Sequence, residues 1–281
     1  MAGQSVWRKI FSGIGLYLVV FAYVAFALLP IYWTIKISVT PENLLYSEGI
    51  KLWPSRMTMA NYQSVLQATD FPRFFLNSMI VSLTSSFIVT LVAAASGYGL
   101  SRFRFRGKTL VSMLLLMTQT FPLVMVIPPI YRIMGQLNLT DNLYSLIIIY
   151  TAFNIAFATF LMQSFFDGVP RELVEAAMID GCTRIQALRR IIQPLTLPGM
   201  GATVAFVFTA AWGELLFALM LINSDSQKTF SVGLLTFVGK FAVDWGQMMA
   251  ASVMALVPVC LFFLFLQRYL VTGLTAGAVK G

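Results

Sequence analysis

Side chains able to do chemistry gather in one long polar-rich stretch between apolar runs, Pro170–Gly199, which reads PRELVEAAMIDGCTRIQALRRIIQPLTLPG. It holds the carboxylates Glu172, Glu175 and Asp180 and the cations Arg171, Arg184, Arg189 and Arg190. Pro170 can open a helix, Gly181 can close it, and Pro194 is expected to stop a second one. Leu173, Ala176, Ala177 and Asp180 recur at the spacing of a single helix face. Two alanines keep that face thin enough for a partner's groove. Glu172 and Glu175 lie where a helix dipole favours negative charge. In the second helix, Ile185, Leu188 and Ile192 form an apolar stripe. The expected chemistry is docking.

One more carboxylate, Glu214, stands inside the apolar run AAWGELLFAL. An ionisable group at membrane depth is costly unless it is paired or hydrated, which makes it a candidate functional residue. The plainer reading is a buried partner for a polar group on a neighbouring helix. Other chemistries find little material. Histidine is absent, which removes histidine metal sites and general bases. Cys182 falls in a loop and Cys260 within a span, so a disulfide framework is excluded by position. No G-x-x-x-x-G-K-[ST] phosphate loop occurs.

The elements that position these groups are membrane spans. The 281 residues are 58% hydrophobic and 11% charged, too apolar for an ordinary soluble domain. Runs long enough to cross a bilayer, about 20 residues, occur at 11–35, 74–101, 109–131, 142–166, 194–223 (interrupted only by Glu214) and 245–267. The third is broken by Pro122, Pro128 and Pro129, which membrane helices tolerate where neighbours satisfy the freed carbonyls. An all-α, six-span protein follows. Twelve of the 19 lysines and arginines fall on one side if both termini lie in the cytoplasm, so the expected orientation is N-in, C-in. The net charge of +8 then reports topology, and nucleic acid is not an expected partner. Small residues of the second span, among them Ser82, Ser85, Ser86 and Gly97, allow close helix approach.

Glu175-Ala176-Ala177, then Asp180-Gly181, then Pro194, resembles the EAA signature of permease subunits in binding-protein-dependent ABC importers of the carbohydrate branch. Cys182 stands where that branch commonly has alanine, and Gln193 replaces the leucine before Pro194. Further likenesses are Leu76-Asn77-Ser78, the run GYGLSRFRFRGK, and Trp212 and Glu214 in a W-N-E pattern whose Asn is Gly213 here. The terminal LTAGAVKG is similar to the end of the second permease subunit of maltose-type importers.

The resemblance implies a type I ABC importer permease fold in the bacterial inner membrane. Its expected parts are a cytoplasmic N-terminus at 1–10, a first span at 11–35, a periplasmic loop at 36–73, and a five-helix core at 74–267. The core carries a cytoplasmic coupling loop at 167–194, and a cytoplasmic tail occupies 268–281. Glu175, Ala176, Ala177, Asp180, Gly181 and Pro194 would couple to an ATPase. Gly273, Leu274, Thr275, Ala276, Gly277 and Lys280 would reach the ATPase subunits. Trp212, Glu214 and Asn154 would line the substrate pathway, with Trp212 and Phe217 able to stack on a pyranose.

Implied partners are a homologous second permease subunit forming a heterodimer, two ABC ATPases, a periplasmic substrate-binding protein and membrane lipid. The chain itself binds no cofactor. ATP and magnesium are used by the ATPases. The solute is a sugar or sugar-like molecule, with polyols, sugar acids and glycerol phosphodiesters as alternatives. A secondary transporter is a further alternative, but it would need more intramembrane carboxylates than Glu214.

Overall fold

In a computed structural model, residues 2–47 and 51–278 are described, with side chains described for 15–47 and 51–267. The chain begins with α1 (Ala2–Ser38), the short α2 (Glu42–Ser47) and α3 (Ala60–Gln67). It continues with α4 (Phe71–Arg102), the pair α5 (Lys108–Thr118) and α6 (Leu123–Gln136), and α7 (Leu143–Asp167). Then come α8 (Arg171–Ile179), α9 (Arg184–Ala187), a π-helical turn at Leu188–Ile192 and α10 (Gln193–Trp212). The short α11 (Leu216–Leu221) and α12 (Phe230–Gly233) precede the last helix, α13 (Trp245–Ala278).

Among the described residues, five helical stretches are long and apolar enough to cross a membrane: Gly15–Ser38, Phe71–Arg102, Leu143–Asp167, Arg184–Trp212 and Trp245–Gln267. Six spans result when α5 and α6, bent by 96° at their junction, count as one. The bend falls at 119–122. Pro122 has no N–H and disfavours helical geometry in the residue before it, so it ends one helix and caps the next. Pro128 and Pro129, expected to break this span too, lie inside α6.

Pro194 does not stop its helix. It sits at the start of α10, directly after the π turn, and the helical run continues from Arg184 to Trp212. The Gln193 N–H reaches back to the Leu188 carbonyl, so the wider turn supplies a bond that regular α geometry would place elsewhere. The fifth span in turn ends at Trp212, and α11 is a separate short helix beyond a break at 213–215.

The chain divides into two compact units. The first comprises 1–69 and 236–255. There the Asn61 amide donates to the carbonyls of Ser38 (2.9 Å) and Thr40 (3.0 Å), and a Glu42 carboxylate oxygen accepts the Gly246 N–H at 3.1 Å. The second comprises 70–235 and 256–281, and its centre is α4 packed along α7 with α10 against both. A Cβ placed on Gly97 would lie 2.8 Å from the Gln163 nitrogen, so only glycine permits this helix approach. Nearby, the hydroxyls of Ser96 and Thr159 pair at 2.8 Å.

Two apolar cores lie at different levels of α7. Around its first half, Leu146, Ile149 and Tyr150 pack with Val81, Phe217 and Leu221. Around its second half, Ala158, Met162 and Phe166 pack with Val89, Ile192 and Val207.

Candidate functional site

Pro170, in extended geometry, opens α8, and a Schellman motif closes it. The Cys182 N–H bonds the Ala177 carbonyl (2.9 Å) and the Gly181 N–H bonds that of Met178 (3.2 Å). Gly181 has φ +86°, the left-handed conformation this motif requires. The chain restarts through a capping box: Thr183 Oγ1 accepts the Gln186 N–H at 3.3 Å, and Gln186 Oε1 accepts the Thr183 N–H at 2.8 Å. The Thr183-x-x-Gln186 spacing is itself a helix-start signal in the sequence, not anticipated among the boundaries set by Pro170, Gly181 and Pro194. The result is a hydrogen-bonded double turn between two helices.

The faces of α8 differ from the expected single stripe. Ala177 is buried against its own chain, while Leu173, Glu175, Ala176 and Asp180 are exposed. Ile179 is 86% exposed. Ala177 is therefore the inward anchor, and Ala176 with Leu173 and Ile179 forms the free surface. In the second helix, Ile192 is buried and Ile185 is 65% exposed, with Arg184, Arg189 and Arg190 exposed beside it. Pro194, also exposed, lies in the first turn of α10.

The second group surrounds the break at 213–215. One Glu214 carboxylate oxygen accepts the Tyr150 hydroxyl at 2.7 Å. The same carboxylate accepts the N–H groups of Phe217 (3.0 Å) and Ala218 (3.3 Å), the otherwise free donors at the start of α11. The Glu214 backbone carbonyl accepts the Ser231 hydroxyl at 2.7 Å. Glu214 thus joins α7, α11 and α12, and its negative charge is met by three donors.

Asn154 lies one turn beyond Tyr150, half-buried, and its amide donates to the Tyr150 carbonyl at 2.8 Å. At the other helix break, Gln119 donates to the Phe153 carbonyl at 3.3 Å. Two interrupted spans therefore meet the middle of α7 at neighbouring positions. Trp212 and Phe217 are buried, so neither presents a free face to a sugar in this conformation. The Trp212 ring packs against Phe208, Phe230 and Phe75, and Phe217 packs against Phe153.

The backbone of Gly273, Leu274, Thr275, Ala276 and Gly277 continues α13. Their side chains, and Lys280 entirely, lie outside the described residues. Among the described residues, no group of three or more Cys, Asp or Glu is placed to hold a metal ion.

The profile described as "Binding-protein-dependent transport system inner membrane component" matches residues 86–275. The chain is 36% identical to a sulfoquinovosyl glycerol transport system permease protein of Agrobacterium fabrum, across 90% of this chain and 89% of that one. It is 34% identical to the trehalose transport system permease protein of Mycobacterium tuberculosis, across 92% and 94%. Among solved structures, it superposes on a chain of a bacterial ABC transporter involved in import of the polysaccharide alginate. The TM-score there is 0.77 and the identity 22%, over 93% of this chain and 96% of that one, a likeness of fold.

Proposed function

The chain belongs to the inner membrane components of binding-protein-dependent transport systems, and from that premise we propose that it receives a sugar or sugar-like solute from a periplasmic binding protein and passes it into the cytoplasm. It is a multi-pass permease subunit of an ABC importer, and it works by alternating access. The relatives that handle a sulfosugar glycoside and a disaccharide support the carbohydrate class.

The finer assignments extend that reading. With both termini in the cytoplasm, the 167–194 loop faces two ABC ATPases, which bind ATP and magnesium while this chain supplies neither site. A second, homologous permease subunit completes the pathway. Glu175, Ala176, Asp180 and Gly181 present the docking surface, Ala177 ties it to the permease, and Pro194 lies in the span that continues from it. Glu214 and Asn154 belong to the pathway wall. The 273–280 segment reaches the ATPase interface.

The observation that carries this reading is α8. It is a short helix anchored by buried Ala177 and half-buried Val174, exposed on its remaining face and fixed in direction by the Gly181 turn. Its large exposed Ile179 and neighbouring small Ala176 suit insertion into a partner's groove.

The test is mild solubilisation and purification of the chain, followed by reconstitution with the periplasmic protein encoded for it. An ABC ATPase should co-purify, and its hydrolysis should rise when the binding protein is loaded. A screen of monosaccharides, disaccharides, polyols, sugar acids and glycerol phosphodiesters against that binding protein identifies the solute class. Transport that proceeds with no ATPase present, driven by an ion gradient, would overturn the importer reading.

A further inference from the structure

Two short sequence patterns stand toward opposite ends of α4: Asn77-Ser78 near its start and Ser101-Arg102 at its end. Both are polar pairs on a helix that is otherwise mostly apolar, and each holds backbone from a distant part of the chain.

At the first end, the Asn77 amide donates to the carbonyls of Ser226 (3.1 Å) and Lys228 (2.9 Å). Ser78 Oγ accepts the Phe230 N–H at 2.8 Å. Both side chains are buried. The segment they grip continues to Ser231, whose hydroxyl bonds the Glu214 carbonyl at the broken span.

At the second end, Arg102 Nη2 donates to the carbonyls of Phe166 and Val169, each at 2.7 Å. Ser101 Oγ donates to Asp167 Oδ1 at 2.6 Å. These acceptors form the elbow between α7 and α8. A cation on terminal helix carbonyls meets both unsatisfied acceptors and the negative end of the helix dipole. The last of them, Val169, directly precedes Pro170, so whatever fixes this elbow also fixes the starting direction of α8.

Between these ends α4 is uninterrupted. From Asn77 to Arg102 it advances about 37 Å at 1.5 Å per residue, with no proline after Pro72. Glycine at 97 locks it closely to α7 rather than loosening it.

Resting on the proposed importer function, we propose that Asn77 and Arg102 are positioning residues at the two ends of one rigid strut, α4. The strut makes the 166–170 elbow and the 226–230 segment move as a unit. Movement imposed on α8 by the ATPases then reaches the Glu214 break through backbone hydrogen bonds at both ends of a single helix. The solute pathway and the coupling loop are linked through a helix that carries neither.

The test uses the assembled transporter in lipid nanodiscs, with binding protein present. Hydrogen exchange is followed at 166–170 and 226–230, with and without ATP plus vanadate, alongside basal and binding-protein-stimulated hydrolysis. In the natural sequence both segments should change protection together when nucleotide is added. Arg102→Met should keep basal hydrolysis and the response at 166–170 but lose the response at 226–230. Stimulated hydrolysis should fall about tenfold, within the usual range of coupling between distant sites. Arg102→Lys, which can still donate to both carbonyls, should restore much of it. Asn77→Ala should give the same split from the other end, and the double variant should be no worse than either single one.

If Arg102→Met does not assemble, Asn77→Ala and Arg102→Lys decide the matter by the same readouts. An outer response that survives in these variants, or losses that multiply in the double variant, would overturn the strut while leaving the importer reading intact. A natural complex in which neither segment responds to nucleotide overturns both.

Discussion

Tyr150 donates its hydroxyl to Glu214 across 2.7 Å, joining the middle of α7 to the break between α10 and α11. A hydrogen bond to an ionised group contributes about 1.5–3 kcal/mol, and an unpaired charge in a span costs more than that bond returns. The carboxylate also holds the first N–H groups of α11. Glu214→Ala should therefore free the start of α11 and cut transport about tenfold or more, because two helices lose their common acceptor. Glu214→Gln keeps an acceptor for Phe217 and Ala218 and should retain part of the activity. Tyr150→Phe leaves the carboxylate its backbone donors and should fall between the two. Solute uptake into proteoliposomes ranks the three variants, and uptake at the natural rate in Glu214→Ala would remove Glu214 from the pathway.

Gly181 offers a cleaner separation of strain from crowding. Its φ of +86° is unfavourable for any residue with a Cβ, yet no heavy atom lies within 4 Å of the place a Cβ would occupy. Substitution there acts through backbone conformation alone, at about 1–2 kcal/mol. Gly181→Val should insert normally in the membrane but re-aim the turn into α9. ATPase co-purification and stimulated hydrolysis should drop together, while the yield of membrane-inserted chain is unchanged. Undiminished stimulation in this variant would show that the direction of α8 does not matter to coupling.

The parts of this architecture that were legible from sequence are those written in local code. Long apolar runs marked the spans, and Pro170 and Gly181 bounded α8 as expected, because start and stop signals act within one turn of themselves. Pro194 misled for the same reason: a local rule gives a stop, but a π turn five residues long accommodates the proline within a longer helix. The inward turn of Ala177 and outward turn of Ala176 also escaped, since a helix face cannot be assigned an inside until its neighbours are known. The Asn77 contacts lie furthest from view. Their partners stand 149 and 151 residues away and are backbone carbonyls, which leave no trace in residue type.

The end of α13 makes a separate prediction. Its backbone remains helical through Gly273 and Gly277 to Ala278, although glycine costs about 1 kcal/mol relative to alanine within a helix. Deleting 274–281 should leave the spans inserted, since none of these residues belongs to the apolar stretch Trp245–Gln267. Under the proposed ATPase contact, hydrolysis stimulated by loaded binding protein should fall or lose its dependence on loading. Unaltered hydrolysis and assembly in the truncated chain would make this segment a passive terminus.

Asp141 sets a pH limit on the link between the α6–α7 loop and the segment after α11. It is left-handed, with φ 57°, a conformation aspartate tolerates better than most residues. Its N–H bonds the Leu221 carbonyl at 2.8 Å, and its carboxylate accepts the N–H groups of Asn223 (2.9 Å) and Ser224 (2.8 Å) and the Ser224 hydroxyl. The Ser224 hydroxyl, followed by the backbone N–H of Ser224, holds this carboxyl below the usual carboxylate range despite some desolvation. A lowered folded-state pKa stabilises above the unfolded value, about 3.9, and that contribution is lost as pH falls through the folded value. Asp141→Asn removes the titration while keeping the backbone conformation accessible. Thermal unfolding of the purified complex should show the natural chain more stable than Asp141→Asn at pH 7 and pH 5 by the same margin. The margin should shrink only below about pH 4. A margin that closes between pH 7 and pH 5, or one that persists unchanged into strong acid, would show that the ionised Asp141 carboxylate is not what holds these two loops together.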